Sequence, residues 1–328
     1  MLQGLRVGHA TDAALKSGVT VFLTDVPAVA AVHVGGGAPA SRETDLLRPG
    51  NLVERVDAIV LSGGSAFGLA AADGVMTWLA ARRRGFAVGS VHVPIVPGAS
   101  LFDLTNGGDK SRLDAGEPVY RELGTAACEA AEDTPPRGSV GAGTGATTAD
   151  LKGGFGFAES DLPDGSRVIA FAAVNAAGRV TLGSAPHFRA AAFERNGEFG
   201  GLGLPTTLPD DAAAPVLKSA AGPRANTTLA VVATDMALGR AEAKRLAIAS
   251  HGGLALAIYP AHTPFDGDTI FTLSTGTHPL GGPAGLTALC AAATGALARA
   301  VACAVYAATP APGDMLPTWS ERYPTLGR

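Results

Sequence analysis

The stretch PRANTTLAVVATD, residues 223–235, joins two unlike kinds of sequence. Its apolar run, 229–233, reads as a buried strand closed by polar punctuation. The opening is the odd part: Asn226, Thr227 and Thr228 stand where a loop enters the core. Threonine suits strands and asparagine suits turns, so the triplet reads as ordinary strand entry. The competing reading makes Asn226–Thr227 a bond that the chain breaks in itself. Thr227 would then carry a hydroxyl and a free α-amine that titrates at about 7.7–8.0, so one residue would supply nucleophile and general base. Such a site still needs an oxyanion donor and carboxylates to orient it. Asn175 in VNAAG is the candidate donor, and Asp266 and Asp268 in DGD are the candidate carboxylates.

Outward from this stretch the chain alternates strands and helices without a repeat of fixed period, which gives an α/β or α+β protein. GVTVFLTD and AVAAVHV read as strands, and DAIVLSGGSAFG as a strand and tight turn leading into a helix that ends at Gly85. AVGSVHVPIV reads as a further strand and 117–132 as a second helix. SRVIAFAAVNAAG and GRVTLGS look like the two arms of a hairpin. Residues 185–224 show no periodicity, so a pliable stretch is expected to end at the threonines. Beyond them come a helix over LGRAEAKRLAIASHGGLALAI, the strand DTIFTLST and a long helix over 286–308.

Composition narrows the function. The chain has 328 residues, 47% hydrophobic, 16% charged, with a formal net charge of -4. No basic cluster exceeds Arg82-Arg83-Arg84, which argues against a nucleic-acid partner. The 286–308 segment carries Arg299 at its middle and reads as a core helix rather than a membrane span, and no signal pattern opens the chain. A soluble cytoplasmic protein is the expectation. Cys128, Cys290 and Cys303 form no CxxC and read as buried, inert thiols. With 44 glycines and 5% aromatics, the core has to be built from small side chains packed closely.

Other chemistries fit less well. Ser65 in GGSAFG lacks the glycine two residues later that a nucleophile elbow requires; Gly64 and Ser65 read instead as a turn whose amides face a substrate. GAGTGA imitates a dinucleotide fingerprint without a helix after it. His251, His262, Asp266 and Asp268 have no metal-ligand spacing, and DGD lacks the remaining oxygens of a calcium loop. Neither a metal nor a cofactor is expected.

Eight segments, in order, carry a resemblance: RVGHATD, GGGAPASRETDLL, LSGGSAFGLAAADGV, VPIVPGASLFDL, GSVGAGTGAT, VNAAG, NTTLAVVATD and HTPFDGDTIFTLSTG. Together they resemble the DmpA-type self-processing aminopeptidases. That group includes the L-aminopeptidase/D-esterases, the β-peptidyl aminopeptidases and the 6-aminohexanoate-oligomer hydrolases. The resemblance implies an α+β fold, a four-layer αββα sandwich like that of N-terminal-nucleophile hydrolases but with its own connectivity. It implies one hydrolase domain cut into 1–226 and 227–328, the halves staying together within a tetramer. By matching motif, Thr227 would be the nucleophile and Asn226 the residue before the cut. Asn175 would serve the oxyanion, and Asp266 and Asp268 would orient Thr227. Phe102 stands where some members have a tyrosine, and Lys152 before Gly153-Gly154 is the position that matches a family lysine. Gly64, Ser65 and Phe102 are the expected substrate contacts. The implied reaction is hydrolysis of small peptides, amino-acid amides or ω-amino-acid oligomers. An acyltransferase resembling the ornithine acetyltransferases, a serine esterase using Ser65 and an uncut small-molecule binding protein are the alternatives.

Overall fold

The structure, a computed structural model, describes residues 1–218 and 226–326. The last part of the aperiodic stretch, 219–225, lies outside the described residues. In chain order the strands are β1 (Leu5–Asp12), β2 (Ser17–Val34), β3 (Ala40–Arg42), β4 (Arg55–Ser62), β5 (Phe86–Val88), β6 (Val91–Val93), β7 (Gly98–Ser100), β8 (Gly154–Asp161), β9 (Arg167–Asn175), β10 (Thr227–Met236) and β11 (Thr269–His278). The helices are α1 (Ala71–Ala80), α2 (Ser111–Asp114), α3 (Val119–Glu129), α4 (Arg240–Ala257), α5 (Gly282–Tyr306) and α6 (Trp319–Arg322).

Strand β2 sets the architecture. Its first half pairs with β1 and β4, its second half with β11, and its register against β4 shifts between Leu23 and Ala28. The sheet order is β3-β7-β4-β2-β11-β10-β9-β8, with β1 on β2, so the sheet turns over on itself through β2. Phe22 of the first half meets Phe171 of β9 edge-on at 5.0 Å. Val7, Phe22, Ile59 and Leu61 from one side and Phe171, Leu229, Val231 and Phe271 from the other form the core between the two halves. The alternate residues Ala230, Val232 and Ile270 face α4 and α5, and Val19, Val21 and Val60 face α1 and α3. This two-residue alternation, buried on both faces, gives the four expected layers, αββα.

The close packing of small residues is visible where α5 lies on β8. A Cβ on Gly156 would stand 2.4 Å from Ala304 N and 2.5 Å from Ala300 O, and one on Gly154 would stand 2.3 Å from Ala304 O. These glycines, which in sequence look like loop punctuation, are strand residues that let a helix backbone approach. Arg299, at the middle of α5, is buried and forks onto Glu198. Among the described residues α5 is the one helix long and apolar enough to cross a membrane, and 67% of that apolar window is buried in the fold.

Several expectations need correcting. The strand partners of β9 are β8 and β10, while 179–183 forms isolated bridges from Arg179 to Tyr259 and from Thr181 to Phe188. AVGSVHV is a two-stranded hairpin, β5 and β6, rather than one strand. The described part of the aperiodic stretch is anchored by side chains. Phe188 stacks on Trp319 at 5.9 Å and meets Phe199 at 5.4 Å, and Glu194 accepts the amides of Phe199 and Gly201, each at 2.9 Å. Cys128 and Cys303 are buried, each thiol pushed up to about 12 by burial, whereas Cys290 is only half-buried.

Gly156→Ala tests the contact between α5 and β8. Overpacking of this kind costs about 1–3 kcal/mol. The expected result is a lower urea or thermal unfolding midpoint; an unchanged midpoint would contradict the packing.

Candidate active site

Thr227 opens β10, a strand whose ten residues are all buried. It lies opposite Asn175, the last residue of β9, and two residues before the point at which the parallel pairing with β11 begins. The loop before β11 meets the residue before Thr227. Asn226 N–H donates to Phe265 O at 3.1 Å, and Gly267 N–H donates to Asn226 O at 2.7 Å. The Thr227 hydroxyl donates to the same carbonyl oxygen at 2.5 Å. The carbonyl that would be attacked therefore carries a fixed amide donor on one side and the hydroxyl of the next residue on the other. Gly267 has to be glycine, because a Cβ there would stand 2.5 Å from Thr227 Oγ1.

The two carboxylates make different contacts around Thr227. Asp268 Oδ1 accepts the Thr228 N–H at 2.7 Å, and its Oδ2 lies 2.8 Å from His262 Nδ1. Asp266 Oδ2 accepts the Thr263 N–H at 2.7 Å, while its Oδ1 is buried without a hydrogen-bond partner among the described residues. Burial, and then the neighbouring Asp268 charge, push the Asp266 carboxyl above the ordinary carboxylate range.

Asn175 is held in one orientation. Its Oδ1 accepts Thr147 N–H at 3.0 Å and Lys218 Nζ at 2.8 Å, and its Nδ2 donates to Phe102 O at 2.9 Å. An amide nitrogen carries two hydrogens, so one remains beyond the Phe102 bond. Asn175, Asn226, Phe102, Asp103 and Lys218 line a cavity of about 200 Å³, closed on other sides by Thr147, Met315 and Leu316.

Gly64 and Ser65 do not line this cavity, contrary to the expectation that they contact substrate. Gly64 reaches it through Asp103, whose Oδ1 accepts Gly64 N–H at 2.7 Å and whose Oδ2 accepts Ser17 Oγ at 2.7 Å, while Ser65 N–H donates to Leu101 O at 2.9 Å. A Cβ on Gly63 would stand 2.2 Å from Asp103 Oδ2, which explains the double glycine. Gly68 comes one residue too late for a nucleophile elbow because it packs on the turn itself, where a Cβ would meet Gly63 O at 1.8 Å. Lys152 is buried and pairs with Asp314 at 2.6 Å. Among the described residues no group of three His, Cys, Asp or Glu side chains is placed to hold a metal. Gly267, Lys218 and Thr147 were not singled out in the sequence. Gly267 sits within the DGD motif, but nothing local marks the other two.

Comparison with known proteins gives this geometry its class. The fold is that of N-terminal-nucleophile hydrolases. A Burkholderia sp. beta-aminopeptidase superposes with a TM-score of 0.68 at 22% identity, covering 100% of this chain and 93% of that one. The L-aminopeptidase D-Ala-esterase/amidase of Ochrobactrum anthropi, described as a variant of that fold, superposes with a TM-score of 0.68 at 20% identity, covering 99% and 92%. The chain belongs to peptidase family S58, whose model matches residues 2–316. An uncharacterized aminopeptidase of Mycobacterium tuberculosis is 46% identical over 343 residues, covering 98% of this chain and 96% of the relative. A 6-aminohexanoate-oligomer endohydrolase of Kocuria sp. is 30% identical over 317 residues, covering 91% and 81%. The protein is a hydrolase of peptide or amide bonds, of the aminopeptidase kind.

Asp314 beside the cavity yields a pH prediction. Burial alone would raise its pKa, but the bonds from Lys152 and Lys16 outweigh burial and hold the carboxyl below its ordinary 3.8. A depressed folded-state value gives stability that is present above the ordinary value and lost as the pH falls through the folded one. Asp314→Asn should therefore be less stable than wild type at neutral pH, with the gap closing below about pH 4. A gap in unfolding midpoint that stays constant down to about pH 2 would contradict the assignment.

Proposed function

We propose that the chain cuts itself between Asn226 and Thr227 and that the freed Thr227 is the nucleophile of the mature hydrolase. The observation that carries this reading is the Asn226 carbonyl, held by Gly267 N–H at 2.7 Å with the Thr227 hydroxyl 2.5 Å from its oxygen. In maturation, Thr227 Oγ1 bonds to the carbonyl carbon of Asn226 while Gly267 N–H takes up charge on the oxygen. The peptide C–N bond breaks, the hydroxyl proton passes to the departing nitrogen, and an ester to Thr227 Oγ1 remains. Water hydrolyses that ester, leaving a carboxylate on Asn226 and a free amine on Thr227. The buried Asp266 Oδ1 suits this sequence, since it is an acceptor whose donor would come into being only at the cut.

In turnover the amine takes the hydroxyl proton as Oγ1 attacks a substrate amide, then delivers it to the leaving amine. The second hydrogen of Asn175 Nδ2 supports the oxyanion from the cavity side. A cavity of about 200 Å³, lined by both Asp103 and Lys218, suits a short acyl group with a polar end. An α-aminoacyl and a 6-aminohexanoyl group both answer that description. The second fits the oligomer substrates named in the Kocuria relative's description.

Hydrolysis of alanine p-nitroanilide and of a linear 6-aminohexanoate oligomer, followed with Thr227→Ala and Asn175→Ala variants, tests the reading. Thr227→Ala should be inactive on both. Asn175→Ala should fold and cut itself, yet lose roughly 10²–10³ in kcat, the usual loss on removing one oxyanion donor. Undiminished hydrolysis by Thr227→Ala would refute the proposal, and a wild-type kcat in Asn175→Ala would remove that residue from it.

A further inference from the structure

We propose that His262 is a positioning residue for Thr227, acting through Asp268. This inference rests on the reading of Thr227 as nucleophile and names what holds it in register. His262 clamps a single oxygen of Asp268: ring Nδ1 lies 2.8 Å from Oδ2, and the main-chain N–H donates to the same atom at 3.2 Å. A carboxylate only accepts, so Nδ1 carries its hydrogen. With Oδ2 fixed, Oδ1 is left aimed at the Thr228 N–H, 2.7 Å away, one residue beyond the nucleophile. The arrangement ties the entry of β10 to the loop before β11 through two side chains.

The backbone shows that this clamp is built at a cost. His262 has a φ of 56°, a left-handed conformation uncommon for a residue with a Cβ. Strain of that kind runs to about 1–3 kcal/mol and persists only where the surroundings over-determine it. A histidine tolerated there, with both its N–H groups on one catalytic-side carboxylate, is doing more than filling a turn. Behind it runs a file of imidazoles. His251 of α4 lies 4.8 Å from the His262 ring, and His33 of β2 lies 4.8 Å from His251. Nε2 of His251 faces the His33 carbonyl at 3.2 Å.

The groups facing His262 decide its charge. Asp268 is its direct partner, Asp266 lies four residues on, and His251 packs on its ring; His33 and Lys244 stand behind His251. Burial pushes His251 down to about 4, so that ring stays neutral near pH 7. The Asp268 bond raises the His262 pKa against the opposing effect of burial. Its bond to Asp268 is therefore an imidazolium–carboxylate ion pair at low pH and becomes a weaker bond from a neutral imidazole to the carboxylate as the pH rises through the raised value.

Three variants assayed on alanine p-nitroanilide test this. His262→Gly suits the left-handed backbone and removes only the ring, so the fold is preserved. Its kcat should fall about 10²-fold, the order expected from an ångström of misplacement, with KM little changed. His262→Asn also tolerates that backbone and sets an amide nitrogen near the Nδ1 position, so it should recover most of the loss. Because its amide does not titrate, the ratio of wild-type to His262→Asn kcat should fall between about pH 6 and pH 9. The inference is overturned by a His262→Gly variant with wild-type kcat, an Asn variant no better than Gly, or a flat ratio. Thr227→Ala is run beside them. If it hydrolyses the substrate, the nucleophile assignment itself has failed; if it is inert while His262→Gly matches wild type, only the role of His262 has.

Discussion

The hydrogen bond from the Gly267 amide to the Asn226 carbonyl is the contact around which the rest is arranged. It joins the loop before β11 to the residue before β10 at the end where these two parallel strands begin their pairing. Gly267 can come that close only because it lacks a Cβ. The approach in turn sets the Asn226 carbonyl against the Thr227 hydroxyl. Asp266 and Asp268 flank the same glycine. One carries a buried oxygen without a partner among the described residues, and the other holds the amide after Thr227. Three consecutive residues thus present an amide donor, an acceptor and an alignment.

The sheet explains why such an end is rigid enough for chemistry. β10 runs between β9 and β11 with every residue buried, apolar core on one face and the α4–α5 layer on the other. A hydroxyl at the first position of that strand inherits its fixity and loses little orientational freedom before it reacts. Small residues make the layers thin. Gly154 and Gly156 admit α5, and Gly253 of α4 would bring a Cβ to 2.5 Å from Thr294 O of α5. Among the described residues the sparse aromatics gather around Phe171, which Phe22 meets across the two halves of the sheet, and around Phe188, which packs on Phe199 and Trp319.

Much of this was legible in the sequence. The apolar run 229–233 announced a buried strand, and the resemblance carried by the ordered motifs implied the layers. Asn175, Asp266 and Asp268 do converge on the Asn226–Thr227 bond. What local sequence could not convey was long-range pairing. Glycine in GGFGFAES looks like a loop until a helix from 150 residues later is laid on it. The β9 partner was misjudged because GRVTLGS has strand-like composition, whereas the actual pairing is decided by packing under α5. Lys218 lies in sequence without periodicity, and its bond to Asn175 comes from tertiary structure alone. Nor can spacing alone tell which oxygen of Asp266 or Asp268 faces which amide.

The central claim is that the Asn226–Thr227 bond is broken by Thr227 itself. The most direct measurement is the denatured mass of the purified wild-type protein beside that of Thr227→Ala. The account predicts two wild-type fragments, one ending at Asn226 and one beginning at Thr227, and a single intact mass for the variant. One intact mass for the wild type, or cleavage of Thr227→Ala at the same bond, would contradict it.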